Sequence, residues 1–318
     1  TRGTLVFGVN QAVTGVGQPA EAPEPAPPLA EVALRAALYI SLAVVIGAWL
    51  AAGLIMRPRA FEAAAGPLVQ ATRSRLLRLG VIGAGCALLA GALSLAWQTA
   101  SLERGTLLDL LQARFGFLWL AQQGLLGISA LALVAARRGL AWGWWSAGLA
   151  IALLAGTLAL NSHAASAPQA TAWAVGAQAA HALFAGAWVG TLLALVATLA
   201  PWLLSQEGAE RSVALAGWRR FGGLATLSVG ALAATGLYNT ARQVASLDAW
   251  VSTAYGRTLA LKLGLFVVVG LAGLINALLL HPCLAGMLAA LLRRPADWRP
   301  VSARRQPIVQ LAEAGQGQ

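Results

Sequence analysis

The sequence predicts an all-α fold, a polytopic transmembrane bundle of about seven helices arranged as two parallel pseudo-repeats. Two observations predict it: a strongly apolar composition, and apolar runs separated by short loops that hold most of the arginines. Of the 318 residues, 58% are hydrophobic and only 10% are charged. Soluble domains lie far from these values, so lipid is the main solvent of this chain.

Seven apolar runs reach the length of about 20 residues that a helix needs to cross a bilayer. A further apolar stretch, Cys283 to Leu292, is only about ten residues long and is predicted to be a short interfacial helix. The predicted spans cover residues 33 to 55, 76 to 100, 115 to 136, 141 to 160, 173 to 204, 221 to 243 and 257 to 280.

The basic residues orient this bundle. Fifteen of the 22 lie on one side of the seven predicted spans and five on the other, while Arg35 and Lys262 lie at span ends. By the positive-inside rule the richer side is cytoplasmic, so the N-terminus is outside and the C-terminus is inside. The formal net charge of +11 is explained by the arginines that lie in the loops on the cytoplasmic side. No nucleic-acid partner is therefore expected.

An internal repeat with an offset near 140 residues divides the membrane part in two. The triplet that begins at Gly47 recurs at Gly186, both times as Gly-Ala-Trp, and Arg78-Leu79-Gly80 recurs as Arg220-Phe221-Gly222. Four spans separate equivalent helices, so both copies point the same way. Spans 1 to 4 form the first copy, and spans 5 to 7 with the short interfacial helix form the second.

The expected organisation therefore has four parts. Residues 1 to 32 form a β-strand (residues 4 to 9) and a Pro-rich linker outside the membrane, and residues 295 to 318 form a cytoplasmic tail. Residues 33 to 160 are the first transmembrane repeat, and residues 161 to 294 are the second. The chain begins at Thr1, so we expect it to be processed or part of a longer protein.

Histidine is the main titratable group predicted inside the membrane, because no Asp or Glu lies in the seven spans. His181 lies about 12 Å from the outer start of span 5. Gln178, His181, Ala185 and Trp188 share one face of that helix by their spacing, and the repeat aligns His181 with Leu42. Intramembrane ionisable residues favour a functional role, although an interhelical hydrogen bond is the structural alternative.

Other polar residues are predicted at the same level of the membrane. Such groups are costly in lipid unless they line a cavity or bond one another. We therefore expect a polar pocket that opens to the outside. Its predicted lining is Gln178, Trp188, Thr235, Asn239, Gln122 and Lys262.

The second half of the chain resembles the copper-resistance D (CopD) family of bacterial inner-membrane proteins. The resemblance rests on several motifs in a fixed order, and on a weaker likeness of residues 2 to 9 to the last strand of the copper-binding CopC domain, which some relatives carry in front. The family usually continues into an eighth span. The motifs are Ser162-His163-Ala164, His181 with Gly186-Ala187-Trp188-Val189-Gly190, Arg220-Phe221, Thr235-Gly236-Leu237, Thr253 to Arg257, and Leu261-Lys262.

The resemblance implies a non-enzymatic protein that moves copper from the periplasm towards the cytoplasm, with a CopC-type periplasmic partner, fused or separate. It makes His163 and His181 copper ligands, and imidazole binds copper in either oxidation state. His281, Cys283 and Met287 are candidate ligands at a cytoplasmic exit. Cu(I) prefers thiolate and thioether ligands, but the outer pocket holds none, so a histidine site completed by amide oxygens and water is expected there.

Two other functions stay open from the sequence. The first is a haem-bearing electron carrier, which requires two histidines facing each other at a similar depth. His163 and His181 satisfy that requirement only if the outer loop folds inward. The second is a membrane scaffold that holds a periplasmic copper chaperone without transporting the ion.

Overall fold

The computed structural model describes residues 28–61, 63–101, 106–162, 171–203, 208–243 and 254–280. These ranges hold seven helices that are long and apolar enough to cross a membrane, which confirms the predicted all-α, multi-pass bundle. A one-turn helix, Leu107–Gln112, precedes the third of them. The seven are α1 (Leu29–Ile55), α2 (Gly66–Ala100), α3 (Arg114–Arg137), α4 (Ala141–Leu160), α5 (Ala172–Leu203), α6 (Ala209–Gln243) and α7 (Ala254–Leu280).

Helices α1 to α6 share one apolar core. Val45 of α1, Leu133 of α3 and Leu195 of α5 are fully buried there. The outer faces are apolar as well: Leu131 of α3 is 71% exposed. A protein that buries and exposes similar side chains is suited to lipid, in which close packing rather than the hydrophobic effect holds helices together.

Helices α1 and α5 cross in backbone contact. A Cβ built on Gly47 would collide with the backbone of Gly190, and one built on Gly190 would overlap the carbonyl of Ala43. The buried Thr191 hydroxyl donates a 3.4 Å hydrogen bond to the Gly47 carbonyl at this crossing. Glycine at both positions is therefore what lets the two helices approach so closely.

Both of these helices contain a π-helical turn near the Gly-Ala-Trp triplet. In α1 the turn Ala51–Ile55 ends the helix, and in α5 the turn Gly186–Gly190 interrupts it in the middle. A π turn inserts one extra residue, so side chains beyond it point in a different direction from those of an uninterrupted α-helix. The turn in α5 bears directly on which residues face the interior.

The end of the bundle that is rich in arginine is tied together by those side chains. Arg220 of α6 donates a 3.1 Å hydrogen bond from Nη1 to the carbonyl of Ile55, where the π turn of α1 leaves carbonyls unpaired. Its guanidinium also lies 4.2 Å from the ring centre of Phe61. These contacts fix the end of α1 against α6.

Several predicted parts of the chain lie outside the described residues: the strand at residues 4 to 9, the linker before residue 28, the interfacial helix at residues 283 to 292 and the tail. The division into two repeats stays a prediction. The first helix begins at Leu29, four residues before the predicted span.

The α1–α5 crossing yields a stability prediction. We expect Gly190→Ala to lower the free energy of unfolding by about 1 to 3 kcal/mol, because the new methyl group would overlap the Ala43 carbonyl. Gly85→Ala in α2 is the control, since its Cβ would meet nothing within 4 Å. Thermal unfolding of both variants in detergent, followed by tryptophan fluorescence, measures the difference. Equal melting temperatures would show that the crossing is not a tight contact.

Candidate functional site

A cavity of about 270 Å³ lies between α1, α4 and α5. It is enclosed mainly by aliphatic side chains, and its polar groups come from Tyr39 of α1 and from Gln178 and His181 of α5. Few polar groups in an otherwise apolar cavity are typical of small-ligand sites. The remaining lining residues are Leu42, Ala43, Ile46, Ile151, Leu154, Ala155, Leu158, Ala182, Ala185 and Gly186.

The His181 imidazole is anchored to α6. Its Nδ1 lies 2.9 Å from Thr235 Oγ1, and the Thr235 hydroxyl donates to the Ala231 carbonyl at 2.7 Å. Because a hydroxyl has one proton to donate, a Thr235 hydroxyl that donates to Ala231 can only accept from His181, which favours the tautomer with the hydrogen on Nδ1. The unprotonated ring nitrogen is then Nε2, which is the state of an imidazole that can bind a metal ion.

A second hydrogen bond between the same helices lies one turn closer to the N-terminal end of α5. Asn239 Nδ2 donates to Gln178 Oε1 at 3.0 Å. From Gln178 to His181 the residue numbers rise along α5, while those of their partners fall from Asn239 to Thr235 along α6, as antiparallel helices require. Both polar side chains of α5 that face the cavity are therefore held from behind by polar side chains of α6, which reduces their rotamer freedom.

The lining of the cavity follows the predicted repeat. Four positions of α1 line it, and each lies 139 residues before a lining position of α5, the same offset that separates the two Gly-Ala-Trp triplets. This agreement is what a twofold axis between α1 and α5 would produce. The equivalent pairs are Tyr39 and Gln178, Leu42 and His181, Ala43 and Ala182, and Ile46 and Ala185.

The remaining residues of the predicted pocket lie elsewhere. Trp188 falls within the π turn of α5 and packs edge-on against Phe266 of α7, with ring centres 6.0 Å apart. Gln122 is buried in α3 away from the cavity, and Lys262 is exposed on α7. Gln122 and Lys262 were placed by depth alone, which does not determine where a side chain points. Trp188 was placed by regular α-helical spacing, which the π turn interrupts.

Sequence reasoning missed Tyr39, which faces the cavity from α1. The signal was present: Tyr39, Leu42 and Ile46 have the spacing of one helical face, and the repeat aligns Tyr39 with Gln178. Residue type alone does not reveal this position, because tyrosine near the end of a span is commonly an interfacial anchor.

The other predicted ligands lie outside the described residues. These are His163, His281, Cys283 and Met287. Within the described ranges, no three residues among His, Cys, Asp and Glu come together as a metal-binding cluster. His181 is therefore the one predicted copper ligand whose surroundings the structure describes.

Comparisons with known proteins point to one family. Residues 216–314 match the family described as Copper resistance protein D. The chain is also 31% identical over 264 residues to the copper transport protein CutJ of Bacillus subtilis, an alignment that covers 77% of this chain and 46% of the relative. The chain thus spans about half the length of that protein. No solved structure is significantly similar.

The His181–Thr235 pair predicts a specific imidazole tautomer. We expect nitrogen-15 NMR of histidine-labelled protein to show His181 protonated at Nδ1, because the Thr235 hydroxyl is an acceptor for that nitrogen. Thr235→Val removes the acceptor and should move the equilibrium towards the Nε2-protonated form. Thr235→Ser keeps a hydroxyl and should retain the wild-type signal. An unchanged tautomer in the valine variant would contradict this assignment.

Proposed function

The chain belongs to the copper-resistance D family, and we propose that it transports copper across the membrane or relays it into the membrane, with His181 as the ligand that receives the ion. The observation that carries this proposal is the cavity wall formed by an imidazole whose Nδ1 is occupied by a threonine hydroxyl. Such an imidazole is held in one orientation before the ion arrives, and its second nitrogen is available for coordination.

The surroundings of His181 support an ion as the cargo. A cavity of about 270 Å³ is slightly smaller than the range of about 300 to 1,000 Å³ that is usual for cofactor and drug-sized ligands. It suits a metal ion with a few ligands better than a haem macrocycle. Copper bound by neutral imidazole and oxygen donors is ordinary chemistry for this metal.

Further donors lie on the same cavity wall and on the wall opposite. The Gln178 carbonyl accepts one hydrogen bond from Asn239 and keeps a second lone pair for a metal ion or its water. Tyr39 lines the cavity from α1 and carries a phenol oxygen. We propose that these groups and water complete the coordination shell of a copper ion bound to His181. His163, in the segment before α5, is proposed as a further ligand.

A site with few strong ligands suits a carrier better than a storage protein. An ion in a transport path must bind firmly enough to enter and weakly enough to leave. Neutral imidazole and oxygen donors meet that condition, since thiolate ligands would hold copper longer. A weak site also fits acceptance of the ion from a periplasmic CopC-type protein and its passage to His281, Cys283 and Met287 at the inner side.

The proposed route follows from the arginine distribution. The positive-inside rule puts the arginine-rich end in the cytoplasm, so the start of α5 faces the periplasm of a bacterial inner membrane. His181 lies nine residues into α5, or roughly 14 Å along the helix. The ion would therefore reach the imidazole from the periplasmic side.

Copper binding by purified protein tests the proposal. We expect His181→Ala to lower copper affinity at least tenfold and Thr235→Val to lower it by about tenfold, the cost of losing a group that orients a metal ligand. Thr235→Ser is the matched control and should bind like wild type. Copper per chain is measured after dialysis at several free copper concentrations, with Cu(I) and Cu(II) in separate series. Wild-type binding by His181→Ala would refute the role of this residue.

The alignment of Leu42 with His181 gives a test by gain of function. Leu42→His adds a second imidazole to the same cavity, so we expect tighter copper binding than in wild type. Leu38→His, one turn earlier on α1 and outside the cavity lining, controls for the addition of a histidine as such. Equal affinities in both variants would mean that positions 42 and 181 do not share a site.

A further inference from the structure

A second cavity lies at the opposite, arginine-rich end of the bundle. It has a volume of about 350 Å³ and is formed by the start of α2, the end of α3 and the start of α4. Its lining is more polar and more basic than that of the His181 cavity. The polar and aromatic residues that line it are Gln70, Arg73, Ser74, Arg137, Trp144 and Trp145.

Arg73 is held in place by aromatic rings. Its guanidinium carbon lies 5.6 Å from the ring centre of Trp144. Trp144 is itself stacked on Trp49 of α1, with centroids 5.0 Å apart and planes inclined by 19°, and the Trp49 indole nitrogen donates to the Trp144 carbonyl at 3.2 Å. A Cβ on Gly53 would collide with Trp144, so this ring has no room to move. The charge of Arg73 is thus fixed before any ligand arrives.

Arg137 approaches from the other side of the cavity. Its Nε donates a 3.0 Å hydrogen bond to Ser74 Oγ, and this bond joins the end of α3 to the start of α2. The Nε of Arg73 is buried and has no hydrogen-bond partner among the described residues. No carboxylate is among the described residues that line the cavity. Two oriented guanidinium groups therefore share a concave site that lacks a described counter-charge.

The height of this cavity in the bundle indicates the nature of its ligand. Trp145 is 76% exposed beside it, at the start of α4. Tryptophan and arginine together mark the level of the lipid headgroups, because indole rings prefer the interface and guanidinium groups prefer phosphate. The α3–α4 turn at Gly139, which adopts φ +86°, also lines the cavity.

We propose that this cavity binds the phosphate of an anionic phospholipid headgroup, with Arg73 and Arg137 as its two cationic ligands. Basic pockets between membrane helices are suited to such headgroups. Guanidinium presents paired donors that match phosphate oxygens, while the exposed apolar side chains beside the cavity, Trp145 among them, give an acyl chain a surface to lie along. The site shares no lining residue with the His181 cavity, so the two can be tested by separate variants.

Native mass spectrometry of the detergent-purified full chain tests this site. Phosphatidylglycerol is titrated in, with phosphatidylethanolamine as the zwitterionic comparison. We expect Arg73→Gln and Arg137→Gln each to weaken phosphatidylglycerol retention about fivefold, the effect of removing one basic residue near a membrane surface. Arg138→Gln is the matched control, since Arg138 is adjacent and exposed but does not line the cavity. Ser74→Ala tests the orientation of Arg137 without changing any charge, and thermal unfolding verifies that each variant is folded.

Three results would overturn the proposal. One is an equal loss in Arg138→Gln and in the two cavity variants, which would indicate general charge attraction. Another is equal retention of phosphatidylglycerol and phosphatidylethanolamine by the wild-type protein. The third is binding of inorganic phosphate alone with full displacement of the lipid, which would assign the cavity to a free anion. Selective loss in the cavity variants, without displacement by inorganic phosphate, is the result we expect.

Discussion

The contact between α1 and α5 at Gly47 and Gly190 is the constraint on which the rest of the bundle depends. It brings two long helices so close that a single Cβ at either position would overlap backbone. Neighbouring residues then meet at fixed distances along both helices. The cavity that His181 lines lies on the N-terminal side of this crossing along both helices. On the C-terminal side of the crossing, the π turn of α1 ends at Ile55, and Arg220 donates a hydrogen bond to the Ile55 carbonyl.

The same crossing explains how one chain can build a quasi-symmetric cavity with an asymmetric chemistry. Positions separated by 139 residues face each other across it, but His181 is opposite Leu42. Among the described residues, Thr235 and Asn239 of α6 are the polar partners behind the α5 side of the cavity. An imidazole on the α1 side would lack an equivalent described partner. In this arrangement α1 lines the cavity with Leu42, and α5 lines it with the imidazole of His181.

The tryptophans of the two Gly-Ala-Trp triplets illustrate the same divergence. Trp49 stacks on Trp144 and so supports the ring that holds Arg73. Trp188 instead meets Phe266 of α7 and is one of the contacts by which that peripheral helix joins the bundle. The two aligned tryptophans thus have different contacts: Trp49 supports the basic cavity, and Trp188 contacts α7.

Much of the fold could be predicted from the sequence, because apolar runs of spanning length leave few alternatives in lipid. The seven spans and the depth of His181 follow from counting residues. The direction of each side chain does not. The π turn at Gly186–Gly190 turned Trp188 away from the face it was predicted to share with His181, and no residue pattern in that stretch marks such a turn. Thr235 was found because it lies at the right depth, but its bond to His181 depends on how α5 and α6 pack.

The position of the crossing also bears on how an ion could pass. Gly186 lines the cavity and begins the π turn. The regular α-helical hydrogen bonding of α5 is therefore interrupted at the edge of the cavity, one turn after His181. Beyond it lie the fully buried side chains of Ala194, Leu195 and Leu199. A copper ion that entered at His181 would find no polar ligand among these residues. On the proposed copper route, passage beyond these side chains would need a change of conformation, and π turns are frequent at functional sites.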